Sequence, residues 1–228
     1  MSIWEQIRSA FSEIRASGFV AFLRKLRGDG NRSIAFTIAV VALGAKMAKA
    51  DGLVTHDEVV AFREVFRAEA SAEADIARLF NLARQDIAGY EVYARQVKRL
   101  FPDPDHMIVA NLIEGLFYIA MADGHYHDGE DVYLSRVAEI LGIPPQTFRA
   151  IRARAVPGHQ GDPYDVLGVA PDSQLDTIRA AWKKLVRECH PDVLQHRGLP
   201  PEAIGISERR LVAVNEAWRK IQAEREAA

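Results

Sequence analysis

The chain of 228 residues has a single cysteine, Cys189. One thiol cannot close an intrachain disulfide, so a reducing compartment is expected, and the cytoplasm is the natural one. Cys189 itself reads as a small, partly buried helix residue rather than a redox centre. Long apolar runs are missing as well. The longest charge-free stretch runs from Ser33 to Ala45, shorter than the ~20 apolar residues a membrane-spanning helix needs. It reads as a buried core helix. No cleavable signal pattern is expected at the start, because Glu5, Arg8, Glu13 and Arg15 interrupt any hydrophobic core. An excess of charge of either sign is also absent: the net charge is −2, which excludes a general nucleic-acid footprint. No phosphate-cradling Walker-type loop occurs, and no nucleophile–base set is recognisable. The expectation is therefore a protein without a cofactor and without catalytic chemistry of its own.

Helical periodicity fills the space these absences leave. Residues 1–31 form an amphipathic N-terminal segment, with Trp4, Ile7, Phe11 and Ile14 at helical spacing. Phe19, Val20, Phe22, Leu23 and Leu26 follow after Gly18, interleaved with Arg24, Lys25 and Arg27. Two readings stay open. The segment can lie on an anionic membrane, at the cytoplasmic face of the inner membrane, with its basic groups at the headgroups. Alternatively its apolar face packs on the next domain or on a second copy of the chain, which would make a homodimer.

Residues 32–156 are helical throughout by pattern. Helices are predicted over Ile34–Ala50, from a Thr55…Glu58 capping box to about Arg67, from Ser71 through Leu82, and over Tyr90–Phe101. After the Pro102-Asp103-Pro104-Asp105 break, further helices are predicted to Met121, over Asp128–Leu141, and over Gln146–Ala155 behind Pro144-Pro145. An internal repeat lies inside this region: Ala50-Asp51-Gly52 with Glu58 recurs as Ala122-Asp123-Gly124 with Glu130, at the same Asp-to-Glu spacing. The pattern suits an inter-helix turn. Gly enters the left-handed conformation, Asp bonds nearby backbone N–H groups, and Glu sits in the first turn of the next helix. A duplicated Ala-Asp-Gly…Glu in an all-helical segment resembles the TerB-like fold, a helical domain with pseudo-twofold repeats. Asp51, Glu58, Asp123 and Glu130 are also candidate metal ligands, but neither copy matches an EF-hand loop, and helix capping is the favoured reading.

Pro157 to Asp162 is read as a linker, and residues 163–228 as a second domain. Its centre is His190-Pro191-Asp192, at the end of a helical pattern from Leu175 to Cys189. Proline cannot continue that helix, so an exposed loop is predicted. A second pattern follows, with Leu211, Val214, Ala217, Trp218 and Ile221. Upstream stands Pro163-Tyr164-Asp165-Val166-Leu167-Gly168-Val169; the first helix carries Ile178, Ala181, Trp182 and Leu185 on one face; Val214-Asn215-Glu216-Ala217-Trp218 opens the second. These motifs resemble the J domain of DnaJ-type co-chaperones. The order of the two domains, with a long Gly198-Leu199-Pro200-Pro201-Glu202 loop, resembles the DjlA branch. That branch usually begins with a membrane-spanning segment, whereas residues 1–30 are only amphipathic. Val193 and Glu188 replace basic residues common beside the motif. A fourth J-domain helix, a Gly/Phe-rich segment and a Cys-rich zinc module are not found.

The resemblance implies an all-α protein whose partner is a DnaK-type ATPase chaperone. His190, Pro191 and Asp192 would stimulate the partner's ATP hydrolysis, and Arg179, Lys183, Lys184 and Arg187 would form a basic strip docking on its acidic surface. The TerB-like domain would give targeting or self-association. The alternative is an envelope or metal stress-response sensor in which the TerB-like domain leads and the J domain is secondary.

Overall fold

The structure, a computed structural model, describes residues 3–26, 32–51, 56–66, 68, 72–85, 89–102, 106–156, 162–196 and 199–226. For residues 48–51, 56–59, 65, 106 and 202 only the backbone is considered. Every regular element among the described residues is helical. Thr55 of the capping box and Ser71 lie outside the described residues, as does the linker apart from Asp162.

Helices α1 (Ile3–Ser17) and α2 (Phe19–Lys25) come first. Gly18 separates them with φ 77, a left-handed value that a side chain would strain. Seven helices follow: α3 (Arg32–Asp51), α4 (His56–Val65), α5 (Glu73–Gln85), α6 (Tyr90–Leu100), α7 (His106–Ala120), α8 (Asp128–Leu141) and α9 (Pro145–Ala155). Helices α3 and α7 pack on each other at the centre. Both are apolar on nearly every side, and such helices must be enclosed. Helices α5 and α6 cover α3, while α4, α8 and α9 cover α7. The Tyr133 hydroxyl donates to the Leu43 carbonyl at 2.7 Å and ties α8 to α3.

The N-terminal segment joins this core. Trp4, Ile7, Phe11 and Ile14 are buried, and α1 packs on α3 and α5. The Trp4 ring meets Phe62 edge-on, with centroids 6.1 Å apart. Arg8 donates twice to Asp75 Oδ2, from Nε at 2.9 Å and Nη2 at 2.6 Å. Of the two readings of this segment, the structure shows packing on the next domain. The apolar face that a membrane surface would need is enclosed. Among the described residues no helix is long and apolar enough to cross a membrane.

The C-terminal part comprises α10 (Pro163–Leu167), α11 (Leu175–Glu188), α12 (Pro191–His196) and α13 (Ile204–Glu226). Two expectations are corrected here. The stretch after His190 is not simply a loop. Pro191 opens the short helix α12, because a proline that ends one helix is well suited to the first position of another. And α13 begins at Ile204, ahead of the pattern read from Leu211, because its first two turns have a separate surface to cover.

That surface belongs to the helical domain. Tyr164, Val166, Leu167, Ile178, Val214, Ala217, Trp218 and Ile221 form a small core of their own. Leu194, Leu199, Ala203 and Ile206 instead belong to the large core of α1–α9. Ile206 comes so close to α7 that a Cβ placed on Gly115 would stand 3.2 Å from its Cδ1. The two parts therefore pack as one body along α7, α9 and the start of α13.

A buried ion cluster lies in that seam. Glu114 of α7 is fully enclosed. It accepts from Arg210 Nε of α13 at 2.7 Å and stands 3.5 Å from Arg154 Nε of α9. Arg210 also donates to Asn111 Oδ1, and the Tyr118 hydroxyl donates to Glu114 Oε1 at 3.3 Å. Burial pushes the Glu114 carboxyl up, but the Arg210 and Arg154 guanidiniums outweigh it and hold the group below its ordinary range. A carboxylate held that way stabilises the fold above its unfolded pKa of ~4.3, and the contribution is lost as pH falls through the lower folded value. Removing one member of a buried ion set leaves the others uncompensated, which costs about 3–5 kcal/mol. Glu114→Ala is therefore expected to lower the unfolding free energy by about that amount, measured by denaturant titration at neutral pH. The gap between wild type and variant should narrow when the titration is repeated below pH ~4.

Candidate functional site

The candidate site is the junction of α11 and α12. Helix α11 is amphipathic. Ile178 is buried, and Trp182, Leu185 and Val186 pack beside it against α13. The Trp182 and Trp218 rings stack 5.2 Å apart at 11°, and Trp182 Nε1 donates to Asn215 Oδ1 at 2.9 Å. With that face fixed inward, the 3.6-residue period turns Arg179, Lys183, Lys184 and Arg187 outward, and all four are exposed. Glu188 tempers the strip: its carboxylate lies 3.9 Å from Lys184 Nζ.

The far end of the hairpin is tied down separately. The Asp162 carboxylate accepts from the Tyr164 N–H at 3.0 Å and caps α10. Arg225 donates to the Pro171 carbonyl at 2.7 Å and to the Ser173 carbonyl at 3.2 Å, which fixes the end of α13 to the α10–α11 turn. From α9, Gln146 reaches the Gly168 carbonyl at 2.8 Å and Arg154 the Val166 carbonyl at 3.1 Å.

Helix α11 ends at Cys189, which is buried and whose N–H bonds the Leu185 carbonyl at 3.0 Å. Burial pushes its thiol up, against the nearby Arg210 guanidinium. A thiol so disposed is a poor nucleophile, in keeping with the packing role. The chain then surfaces. His190 and Asp192 are exposed, with Pro191 half-buried between them. His190 Nδ1 accepts from the Asp192 N–H at 3.3 Å, so the imidazole acts as the N-cap of α12 and leaves Nε2 to bear the proton of the neutral ring. Asp192 Oδ2 lies 3.7 Å from the same Nδ1. The arrangement presents one imidazole and one carboxylate to solvent on a short, proline-fixed turn, with four cations along the adjoining helix. It suits recognition of a partner carrying a guanidinium and an acidic surface.

The other candidates lie apart from this junction. Gly124 is left-handed at φ 82, as the repeat pattern predicts. Asp123 Oδ1 accepts from the His125 N–H at 2.8 Å, and this bond chiefly holds the Asp123 carboxyl below its ordinary value. Glu130 Oε2 accepts from the His127 N–H at 2.9 Å. Both carboxylates are thus engaged in shaping the turn into α8. The side chains of Asp51 and Glu58 lie outside the described residues, so the first copy cannot be compared with it. Among the described residues, no group of three or more His, Cys, Asp or Glu side chains is placed to hold a metal ion.

Glu114, Arg154, Arg210 and Leu194 carried no expectation from the sequence, and Leu199 only that of a loop residue. One signal was available: Glu114 is the lone charged residue in the run Ile108–Ala120, and such a charge needs a buried partner.

An α-helical bundle followed by a helical hairpin with His-Pro-Asp at its tip defines a J-domain protein built on a larger helical domain. Comparison with known proteins agrees. The family model for tellurite resistance protein TerB matches residues 37–153, and that for the DnaJ domain matches residues 162–226. The chain belongs to the TerB family, and in it a DnaJ domain follows the TerB domain. A co-chaperone protein DjlA from Shewanella oneidensis is 25% identical over 229 residues, covering 92% of this chain and 86% of that protein. One from Photobacterium profundum is 25% identical over 237 residues, covering 92% and 85%. One from Escherichia coli strain K12 is 28% identical over 138 residues, covering 50% and 51%. No solved structure matches the chain significantly.

The turn geometry yields a direct test. Glu130→Ala removes the acceptor for the His127 N–H, and a lost helix cap costs about 1 kcal/mol. Thermal unfolding of the variant should show a loss of that order, whether or not divalent metal is present. A loss confined to metal-containing buffer would instead assign the turn to an ion.

Proposed function

We propose that this chain is a co-chaperone that recruits a DnaK-type chaperone and stimulates its ATP hydrolysis through His190, Pro191 and Asp192. The observation that carries the reading is the exposure of His190 and Asp192 on a capped turn, beside an outward strip of Arg179, Lys183, Lys184 and Arg187. The co-chaperone names of the similar proteins support it. In this mechanism the strip draws the partner's acidic surface in and raises the association rate, with a marked dependence on salt. Asp192 then pairs with a guanidinium of the partner, and Pro191 and His190 hold the backbone in the shape that pairing requires. Stimulation is allosteric: the bound J domain favours the hydrolysing state of the partner, and the energy is the difference in affinity between its two states. The chain itself breaks no bond. A chaperone driven by ATP places this activity in the cytoplasm, and the TerB domain supplies placement through a client or a second copy of the chain.

Single-turnover ATP hydrolysis by a DnaK-type chaperone is the measurement. The full chain should accelerate it, and Asp192→Asn and His190→Gln should each abolish the acceleration, Asp192→Asn without changing the thermal stability of the chain. Acceleration that survives either substitution refutes the mechanism. Lys183→Glu with Lys184→Glu should leave the maximal stimulated rate intact and raise the concentration needed to reach half of it, more so at low salt.

A further inference from the structure

The long segment between the His-Pro-Asp turn and α13 is not absorbed by the reading above. Its placement gives it a task. Leu194, two residues beyond Asp192, is fully buried, and Leu199, Ala203 and Ile206 are buried with it. All four belong to the core of α1–α9 rather than to the small core of the hairpin. The Leu199 N–H donates to the Leu194 carbonyl at 3.0 Å, and the Leu194 N–H to the His190 carbonyl at 3.2 Å. Helix α12 is thus fastened at one end to the imidazole cap and at the other to a plug seated in the helical domain. Arg210, one turn into the same stripe of α13 as Ile206, is clamped by Glu114 and Asn111.

A six-residue helix has almost no stability of its own, since helices shorter than about 12 residues are marginal in water. The buried residue of α12, Leu194, belongs to the large core and not to the hairpin core, and α12 otherwise packs on α11, the helix that it follows. The segment that carries His190 and Asp192 is thus followed directly by residues buried in the core outside the hairpin. We infer that the TerB domain is the mould for the His-Pro-Asp turn, with Leu194, Leu199 and Arg210 as positioning residues for the partner-binding site. The functional consequence rests on the co-chaperone reading. The structural claim does not.

Hydrogen exchange on the full chain tests it, with Leu199→Ala, Leu199→Asp and Leu199→Met. Leu199→Ala and Leu199→Asp should speed exchange of the α12 amides tenfold or more, while amides of α5–α7 and of α11 keep wild-type protection. Leu199→Met, which conserves apolar volume, should retain slow exchange in α12. The same proteins are then assayed with a DnaK-type chaperone. Stimulation should fall with Leu199→Ala and Leu199→Asp and return with Leu199→Met, in proportion to α12 protection. Unchanged α12 exchange in the Ala and Asp variants overturns the inference. So does acceleration by the same factor throughout the chain, which would make Leu199 a general core residue. If wild type does not stimulate the chaperone at all, the proposed function fails, and the exchange result still decides whether the TerB domain shapes the turn.

Discussion

One buried carboxylate constrains the whole arrangement. Glu114 sits in the middle of an apolar helix, fully out of water, and an ion in that position is tolerable only if counter-charges are delivered to it. They come from Arg154, at the end of the helical domain, and from Arg210, in the J domain. The requirement therefore fixes α9 and α13 against α7, and hence the J domain against the TerB domain, with an angular definition that apolar contact alone would not supply.

The docking leaves the recognition surface free. The seam takes up α10, the start of α13 and the segment after α12, whereas the outer face of α11 and the His190–Asp192 turn remain in solvent. A J domain folded back over its own basic strip would be self-blocked. Here the opposite side is used, so the chain leaves the proposed partner-facing elements exposed.

Local information carried the local features. The turn into α8 followed from the Ala-Asp-Gly…Glu pattern, because a left-handed glycine, an Asp-capped turn and a first-turn Glu are decisions made within ten or so residues. Helix α8 spans the predicted Asp128–Leu141, and the inward and outward faces of α11 follow from a 3.6-residue period around Ile178. Long-range packing was not visible in the same way. Trp4, Ile7, Phe11 and Ile14 make an equally good stripe for a lipid surface and for a protein core, and only the position of Phe62 and Asp75 in space distinguishes them. Pro191 was read as a stop and is also a start, since the same missing N–H suits both roles. The segment from Leu199 to Arg210 carries few apolar residues at clear spacing. Its partner lies on α7, about a hundred positions back, at a residue pair that no window along the chain brings together.

Helix α13 runs unbroken through both cores. Ile206, Arg210, Val214, the adjacent pair Ala217 and Trp218, and Ile221 follow one another along one side of the helix, and all are buried. The first two of these face the TerB domain and the rest face the hairpin. The two domains are thus in phase on a single screw axis. Each residue of an α-helix turns that axis by about 100°. A chain one residue longer or shorter between Arg210 and Val214 would turn the hairpin face of α13 by about a quarter-turn relative to its TerB face, against the ties from α9 to the hairpin. The length of that short interval is a geometric setting that decides which direction the J domain faces.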